Sequence, residues 1–346
     1  MRRLAAIVAL LGGFVSVVEA CGGSASRPVS VHKAVSAPPA ATQSAGPTSA
    51  ARHTFIEERV GQGRQAWVAV PVATLWNQPG FTRPVDRLVV QAQPAVADWL
   101  SSMDTSSKLE LDYTMATQAL LDEPLTVVEI SGDWADVLVQ DQTGSVYTDG
   151  VEGWMPLSQI TFDAPPATGA YATVSQPIAG AGDPSLSYGT RLPILSSTPG
   201  GYVVWTPYGK RFLPGNEARP APPPITPQAV LGEAEKFLGL PYLWAGTSGY
   251  GFDCSGLTYA IYRQFGITLA RDAGDQASEG RPVARDQLRP GDLMFFASGG
   301  QIHHVGIYAG NGLMLHAPQT GSVVQEIKIW SSPLASQYEG ARRYFG

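Results

Sequence analysis

The sequence predicts a multidomain chain in which β-rich regions are followed by an α+β domain. Short apolar runs separated by turns dominate residues 54–218, whereas residues 226–346 begin with helical periodicity and continue as strands. Glycine occurs 38 times and proline 28 times in the 346 residues, which suits short strands and many turns. Helices that precede an antiparallel sheet are typical of α+β folds.

Composition and charge limit the possible functions. The net charge is −6 at pH 7, with 15% charged and 44% hydrophobic residues. These values indicate a globular chain without the basic surface of a nucleic-acid-binding protein. The two cysteines, Cys21 and Cys254, are far apart, and each lies in a local pattern of its own. We therefore do not expect a disulfide-stapled fold.

Residues 1–20 have the features of a signal peptide. Basic residues at positions 2 and 3 precede the apolar stretch Leu4–Val18, and the small Ala20 occupies the cleavage position. Cys21 follows directly, and this border resembles a bacterial lipoprotein signal, in which the cysteine becomes the lipidated first residue. Glu19 departs from that pattern, because a small or uncharged residue is usual there. The alternative is ordinary cleavage nearby, with Cys21 as an incidental thiol.

Residues 21–53 are rich in alanine, serine, proline, glycine and threonine, a composition typical of a disordered tether. A lipidated cysteine followed by such a tether predicts an exported, extracytoplasmic lipoprotein. The membrane would be contacted through the lipid, because the apolar run near the N-terminus is too short for a comfortable span.

The pattern of residues 54–163 predicts a first β domain. Leu125–Ile130 and Trp134–Val139 are two apolar strands joined by a Ser-Gly-Asp turn at residues 131–133. The string Gly153-Trp154-Met155-Pro156 forms a late strand. Residues 77–119 interrupt the domain as a long, partly helical insertion, which is either functional or plain packing.

A second β domain is predicted over residues 168–218. Its strands are expected near Tyr171–Ser175, Gly189–Leu195 and Tyr202–Thr206. Residues 219–225 follow as a stiff linker because four of the seven are proline.

Residues 226–346 form the last predicted domain. Its first helix is capped by Thr226 and opened by Pro227. Three strands follow a second helix, at Leu293–Phe296, His304–Tyr308 and Gly312–Ala317. The last two form a hairpin around an Ala-Gly-Asn-Gly turn.

The second helix of this domain places a cysteine at its start. Leu257, Ile261 and Phe265 recur every four residues, and Asp253 is a good N-cap, so Cys254 falls in the first turn. Unpaired backbone N–H groups and the positive end of the helix dipole favour a thiolate there. Cys254 is therefore a candidate nucleophile, and the alternative is a buried, inert thiol.

Three histidines lie downstream of this cysteine, namely His303, His304 and His316. A thiol nucleophile needs a base, and the base needs an orienting partner. By strand alternation, His303 and His304 point to opposite faces, and His316 lies on the neighbouring strand within reach of His304. The residues alone thus allow a triad of Cys254, His304 and His316, or equally well structural histidines. Their spacing to carboxylates and cysteines is not that of zinc ligands, so we expect no metal and no other cofactor.

These motifs together resemble those of the NlpC-type cell-wall cysteine peptidases, which have a papain-like fold. The resemblance rests on five separated strings: Pro241–Gly246, Phe252–Leu257, Arg289–Leu293, His304–Tyr308 and His316-Ala317. It implies that Cys254, His304 and His316 are catalytic. It also implies that Tyr242 lies beside the thiolate, where its hydroxyl can assist the oxyanion site. The alternative for Tyr242 is an ordinary core aromatic.

The upstream regions resemble bacterial SH3 domains, so the expected fold is all-β SH3-like barrels followed by an α+β papain-like catalytic domain. Such fusions are similar to γ-D-glutamyl-L-diamino-acid endopeptidases, which cleave peptidoglycan stem peptides that have a free N-terminal L-alanine. The strings Ala119–Pro124 and Gly153–Pro156 carry this resemblance.

That resemblance implies a pocket for the substrate ammonium group. Glu123 and Asp253 would hold the ammonium, and Ser255 would add a polar contact. The alternatives are a solvated surface carboxylate for Glu123 and a plain helix cap for Asp253. The family often has a tyrosine two residues before the Gly-Trp pair, where this chain has Val151, and Tyr147 is a possible substitute.

The expected function is therefore that of a cysteine endopeptidase that hydrolyses the amide between γ-D-glutamate and a diamino acid. Two alternatives remain open, a non-catalytic cell-wall-binding protein and a thiol amidase or acyltransferase on the same fold. The sequence does not distinguish L-lysine from meso-diaminopimelate, and it does not give the oligomeric state. Arg271 either meets a substrate carboxylate or pairs with Asp272 or Asp275.

Overall fold

The computed structural model describes residues 63–80, 83–179 and 185–346. The predicted signal peptide, the lipidation site Cys21 and the tether lie outside the described residues. Within the described ranges, no helix is both long and apolar enough to cross a membrane.

The first sheet is antiparallel and has seven strands. They are β1 Arg64–Val68, β2 Val72–Trp76, β3 Met115–Leu120, β4 Pro124–Ser131, β5 Trp134–Val139, β6 Val151–Pro156 and β7 Ile160–Thr161. The predicted hairpin is present as β4 and β5, and Gly132 in its turn has a φ of 61°.

The strand order of this sheet is β3-β2-β6-β5-β4-β1-β7. A closed barrel was the sequence expectation, but the two edge strands β3 and β7 do not pair with each other in the described ladder. The sheet does not close because β7 contains only two residues, and both of them pair with β1. The region is therefore an open antiparallel sheet.

The insertion between β2 and β3 folds into short helices. These are α1 Arg87–Val90, α2 Val96–Ser101 and α3 Thr105–Leu109, with 3₁₀ turns at Pro84–Asp86 and Glu110–Tyr113. Trp99 is fully buried, its indole N–H donates to Asp86 at 2.9 Å, and it packs edge-on against Trp76. The same core includes Leu243 and Ala245 from the last domain. The insertion thus joins the first sheet to the last domain.

The second β region contains a five-stranded sheet with the order β13-β12-β11-β8-β14 and a two-stranded ladder of β9 and β10. The strands are β8 Tyr171–Val174, β9 Ile178–Ala179, β10 Leu186–Ser187, β11 Arg191–Thr198, β12 Gly201–Thr206, β13 Gly209–Pro214 and β14 Ala218–Arg219. Arg219 therefore belongs to a strand, not to the linker, and it pairs with Glu233 at 2.7 Å.

The last domain has helices α4 Pro227–Glu235, α5 Cys254–Arg263 and α6 Ala273–Ser278. Its six-stranded sheet has the order β17-β22-β18-β19-β20-β21. The strands are β15 Thr247–Ser248, β16 Gly251–Phe252, β17 Arg281–Val283, β18 Leu293–Ser298, β19 Gln301–Gly310, β20 Leu313–His316, β21 Gln325–Lys328 and β22 Tyr338–Arg343. Short 3₁₀ turns occur in this domain at Arg285–Gln287, Ile329–Ser331 and Pro333–Gln337. A further 3₁₀ turn, at Leu157–Gln159, belongs to the first β region.

The loop before α5 is held by both β regions. Thr247 donates its hydroxyl to the Gln118 carbonyl at 2.9 Å, and the Gly249 N–H donates to the Ser187 hydroxyl at 2.9 Å. A Cβ added at Gly249 would lie only 1.9 Å from the Pro177 carbonyl oxygen, so the backbones approach too closely for any side chain. The loop that leads into α5 is therefore fixed by contacts from both β regions.

Candidate active site

Cys254 is the first residue of α5, as the sequence predicted. Asp253 caps the helix by accepting the Gly256 N–H at 2.6 Å. The helix is anchored by Leu257 and Ile261, which pack with Phe295 and other core residues beneath the sheet. The backbone N–H of Val305 donates to the Cys254 sulfur, which places the thiol against β19.

Two histidines meet on the neighbouring strands. Nε2 of His304 on β19 lies 2.8 Å from Nδ1 of His316 on β20, and both side chains are buried. Because Nε2 of His304 is engaged, its Nδ1 is the nitrogen left to accept a proton. Nε2 of His316 is buried and has no hydrogen-bond partner among the described residues. His316 is thus placed to fix the ring of His304.

Burial sets the protonation states of these groups. It raises the pKa of the Cys254 thiol to about 12, with the negative charge of Asp253 as the second cause. Burial also lowers the pKa of His304 to about 3, helped by His316 and His303, and lowers that of His316 to about 4. The start of α5 was expected to favour a thiolate, but burial and the charge of Asp253 shift the pKa of Cys254 in the opposite direction and favour the neutral thiol beside neutral imidazoles.

These lowered pKa values predict that acid destabilises the fold. A histidine whose folded pKa is below its unfolded value of about 6.5 binds its proton mainly in the unfolded chain, so stability is lost as pH falls below 6.5. At pH 5 the loss from His316 should be about 1–2 kcal/mol. Urea unfolding at pH 7 and pH 5 should show a smaller acid loss in His316→Gln. An equal loss in wild type and variant would contradict this assignment.

A β-bulge changes the predicted arrangement of His303. Phe296 of β18 pairs with His304, and the next residue, Ala297, pairs with Ile302, so His303 is the extra residue. Strict alternation placed His303 and His304 on opposite faces, but their rings stack at 6.4 Å with planes 30° apart. The prediction of opposite faces was wrong, because a bulge interrupts the alternation. His303 is exposed, and its Nε2 lies 2.9 Å from the Gln337 side-chain oxygen.

Arg271 lies at the centre of a network of hydrogen bonds and one ion pair beside the cysteine. Its guanidinium is buried, donates to both carboxylate oxygens of Asp253 at 2.6 and 3.2 Å, and donates to the Ser255 hydroxyl at 3.1 Å. It also reaches the Thr117 hydroxyl in the first sheet at 3.3 Å. The sequence had offered Asp272 or Asp275 as its ion-pair partner. The partner in the structure is Asp253, so the arginine positions the residue before the cysteine.

A cavity of about 600 Å³ opens over the thiol. Its wall contains five carboxylates but, among the described lining residues, only Arg271 and His303 have basic side chains. Burial raises the pKa of Asp112 and of Asp272. The five acidic residues are Asp112, Glu152, Asp253, Asp272 and Asp275. With Arg271 committed to Asp253, the cavity favours a positively charged ligand.

The cavity wall also accounts for several predicted residues. Tyr242 and Ser255 line it together with Cys254, and burial and the nearby charge of Asp253 raise the pKa of Tyr242. Tyr147 lines the cavity as well, in the position proposed as a substitute for the tyrosine missing at Val151.

Asp112 and Met115 also line this cavity, so the insertion supplies part of the site. Asp112 also accepts a hydrogen bond from the Thr320 hydroxyl at 3.3 Å. The sequence did not indicate Asp112, because nothing in the local pattern relates the insertion to Cys254.

Glu123 does not join Asp253, contrary to the prediction. Its carboxylate accepts from the guanidinium of Arg263, and it lines a separate cavity of about 330 Å³. Arg263 lies nine residues after Cys254 on α5, which places it about 13 Å along the helix from the thiol. The preceding Asp122 has a φ of 70°, which marks the turn between β3 and β4. Glu123 is thus a buried ion-pair partner and not a solvated surface group.

The structure predicts that Glu123→Ala reduces stability and leaves the choice of substrate unchanged. Removing one partner of a buried ion pair costs up to about 3–5 kcal/mol, and here the Arg263 guanidinium loses the more buried of its two carboxylate partners. Asp141→Ala is the matched control, since Asp141 contacts the same guanidinium at 2.5 Å but is about a third exposed, and it should cost less. Urea unfolding and the preference for free over N-acylated substrate should be measured on both variants. A lost preference in Glu123→Ala at full stability would restore the original assignment.

The comparisons with known proteins agree with this geometry. Residues 239–343 match the model of the NlpC/P60 family. The chain is 39% identical over 302 residues to a γ-D-glutamyl-L-lysine dipeptidyl-peptidase of Bacillus cereus strain ATCC 10987, covering 81% of this chain and 91% of that protein. A protein of the same name from Bacillus subtilis strain 168 is 36% identical over 286 residues, with 79% and 97% covered.

A solved structure is similar over most of the chain. The crystal structure of an NlpC/P60 family protein from Bacillus cereus ATCC 10987 superposes with a TM-score of 0.76 at 36% identity. The match covers 82% of this chain and all of that one. A helix presents Cys254 to an antiparallel sheet that carries His304 and His316. Together with the similarity to these relatives, this arrangement identifies the protein as a peptidase. The chain belongs to the NlpC/P60 family.

Proposed function

We propose that the chain is a cysteine endopeptidase that hydrolyses the γ-D-glutamyl–diamino acid amide of peptidoglycan stem peptides with a free N-terminal L-alanine. The observation that carries this proposal is the carboxylate-lined cavity directly over the Cys254 thiol. The names of the two Bacillus relatives specify the γ-D-glutamyl-L-lysine bond, so L-lysine is the diamino acid to test first.

The proposed reaction uses three side chains. The Cys254 sulfur attacks the γ-carbonyl carbon while Nδ1 of His304 takes the thiol proton. His304 returns that proton to the leaving amine as the amide C–N bond breaks, which leaves a thioester on Cys254. Water, deprotonated by His304, then hydrolyses the thioester and restores the thiol. His316 holds the ring of His304 through their 2.8 Å contact.

Backbone geometry supports the charge that develops on the carbonyl oxygen. Cys254 lies in the first turn of α5, where the N–H groups have no partner within the helix and the dipole is positive. Tyr242 lines the same cavity and is the candidate second donor.

The free ammonium of the substrate is matched by the acidic wall. Oδ1 of Asp253 accepts from Gly256, Ser255 and Arg271, whereas Oδ2 accepts only from Arg271 among the described residues and has room for another donor. Asp112 and Asp272 add two carboxylates, both partly dehydrated. An N-acylated substrate would bring no cation to this acidic wall, which is why we expect rejection of such substrates.

We further propose that the two β regions are SH3-like modules and that the first of them forms one wall of the groove. Residues of the first region that line the cavity, such as Ser145 and Tyr147, support a role of that region in substrate binding. We also propose that the chain is exported and anchored through Cys21, on the strength of the lipoprotein-like border at residues 18–21.

The amine preference can be tested with one substrate pair. Wild type should cleave L-Ala-γ-D-Glu-L-Lys at least about tenfold more efficiently than its N-acetyl form, because a charge-assisted hydrogen bond contributes about 1.5–3 kcal/mol. Asp112→Asn should lower kcat/KM for the free-amine substrate and change little for the acetylated one. Equal rates for both substrates in wild type would refute the ammonium pocket.

A further inference from the structure

The loop between β5 and β6, residues 140–150, forms part of the cavity wall without support from an apolar core. Ser145, Val146 and Tyr147 line the cavity over the thiol. No residue from 143 to 149 is buried, and Val146 is 79% exposed. A segment with few buried apolar contacts opens more readily than the strands that flank it. The position of this part of the wall therefore depends on polar contacts.

Two hydrogen bonds hold the β5–β6 loop against the last domain. The backbone N–H of Arg271 donates to the Thr143 carbonyl at 2.8 Å. The backbone N–H of Ser145 donates to Oδ2 of Asp275 at 3.0 Å. The first bond joins backbone to backbone, so no side chain is needed for it. The second bond depends on the carboxylate of Asp275, which is therefore the side chain that holds the loop.

The residue before Ser145 must be small for this contact to form. A Cβ added at Gly144 would lie 2.4 Å from Oδ2 of Asp275, which is too close for any side chain. The φ of Gly144 lies outside the left-handed region, so this position requires the absence of a side chain and not a special backbone conformation. Gly144 and Tyr147 also exchange two backbone hydrogen bonds of 3.2 Å. The segment that Asp275 holds therefore carries Tyr147 with it.

Asp275 itself lies on an element that is fixed to the nucleophile helix. It belongs to α6, and the next residue, Gln276, is fully buried. The Gln276 amide donates to the carbonyl of Ser255 at 3.1 Å and to that of Ala270 at 2.8 Å. Ser255 directly follows Cys254 in the first turn of α5. The loop is thus tied through α6 to the residues beside the thiol.

We propose that Asp275 is a positioning residue that accepts the Ser145 N–H and thereby holds the β5–β6 loop where Ser145 and Tyr147 meet the stem peptide. The kinetic consequence of this inference rests on the proposed endopeptidase function. The role needs an acceptor oxygen and not a negative charge, which separates Asp275 from the carboxylates assigned to the ammonium. Without the contact, only the fraction of molecules with the loop in place binds substrate well, so the apparent affinity falls by that fraction.

Hydrogen exchange tests the contact without any substrate. The rate over residues 141–149 should be measured by mass spectrometry in the full chain for wild type, Asp275→Ala, Asp275→Asn and Gly144→Ala. Asp275→Ala and Gly144→Ala should exchange at least about threefold faster than wild type, because the Ser145 N–H loses its acceptor. Asp275→Asn should exchange like wild type, because its amide oxygen accepts the same bond. Unchanged exchange in Asp275→Ala, or equally fast exchange in Asp275→Asn, would overturn the inference.

Steady-state kinetics with L-Ala-γ-D-Glu-L-Lys test the consequence for binding. Asp275→Ala and Gly144→Ala should raise KM by about three- to tenfold and change kcat little, because Cys254 and His304 are not touched. Asp275→Asn should recover most of the loss in KM. The double variant Gly144→Ala/Asp275→Ala should be no worse than either single variant, because both remove one contact.

The outcomes separate this inference from the proposed function. An equal rise in KM for Asp275→Asn and Asp275→Ala would overturn the positioning role, because it would show that the charge is what matters. A loss in kcat at unchanged KM in Asp275→Ala would overturn it as well. A wild type that cleaves no stem peptide would overturn the proposed function, whereas the exchange rates would still decide whether Asp275 holds the loop.

Discussion

Cys254→Ala is expected to abolish stem-peptide hydrolysis, with a loss of at least about 10⁴-fold in kcat. The reason is that the thioester cannot form without the sulfur, and no other described side chain replaces it at the start of α5. Single-turnover and steady-state assays with L-Ala-γ-D-Glu-L-Lys would measure the loss.

A binding measurement serves as the control for Cys254→Ala. Calorimetry should show that the variant still binds the uncleaved peptide, because the acidic cavity is unchanged. Iodoacetamide should label the wild-type chain at Cys254. Residual hydrolysis above a few per cent in the variant would exclude the nucleophile and favour a different reaction. Binding without any hydrolysis in wild type would favour the cell-wall-binding alternative.

The second large effect is expected at the histidine pair. His304→Gln should lower kcat by about 10²–10⁴-fold, the usual contribution of a general base, because Nδ1 then no longer accepts the thiol proton. His316→Gln should cost less, because it removes an orienting contact of 2.8 Å and leaves the base in place.

The double variant distinguishes a shared function from two separate ones. If His316 acts only by holding His304, His304→Gln combined with His316→Gln should be no slower than His304→Gln alone. Additive losses would show that His316 has an independent role in catalysis. Far-ultraviolet circular dichroism on each variant would confirm that the sheet is intact.

Local rules were sufficient to predict much of the site. The N-cap of Asp253, the start of α5 at Cys254 and the hairpin that brings His304 to His316 were all confirmed. Each of these depends on residues that are close in sequence or on one hairpin, where capping and turn chemistry decide the geometry.

The remaining features depend on contacts that the sequence does not encode locally. The bulge at His303 arises from the pairing of β19 with β18, and strand alternation alone gave the wrong face. Glu123 pairs with Arg263, 140 residues away, instead of joining Asp253 around the substrate ammonium. Asp112 reaches the cavity only because the insertion packs against the last domain. Whether the ends of a sheet pair with each other depends on tertiary packing, which the local sequence pattern does not show. A closed barrel was therefore expected, but the first sheet is open.

The most direct test of the account is the identity of the bond that is cut. Purified protein should be incubated with L-Ala-γ-D-Glu-L-Lys in ¹⁸O-labelled water, and the products should be examined by mass spectrometry. The account predicts free L-lysine and the dipeptide L-Ala-D-Glu with one ¹⁸O atom in its γ-carboxylate. Release of free L-alanine, or an intact γ-D-Glu–L-Lys product, would contradict it.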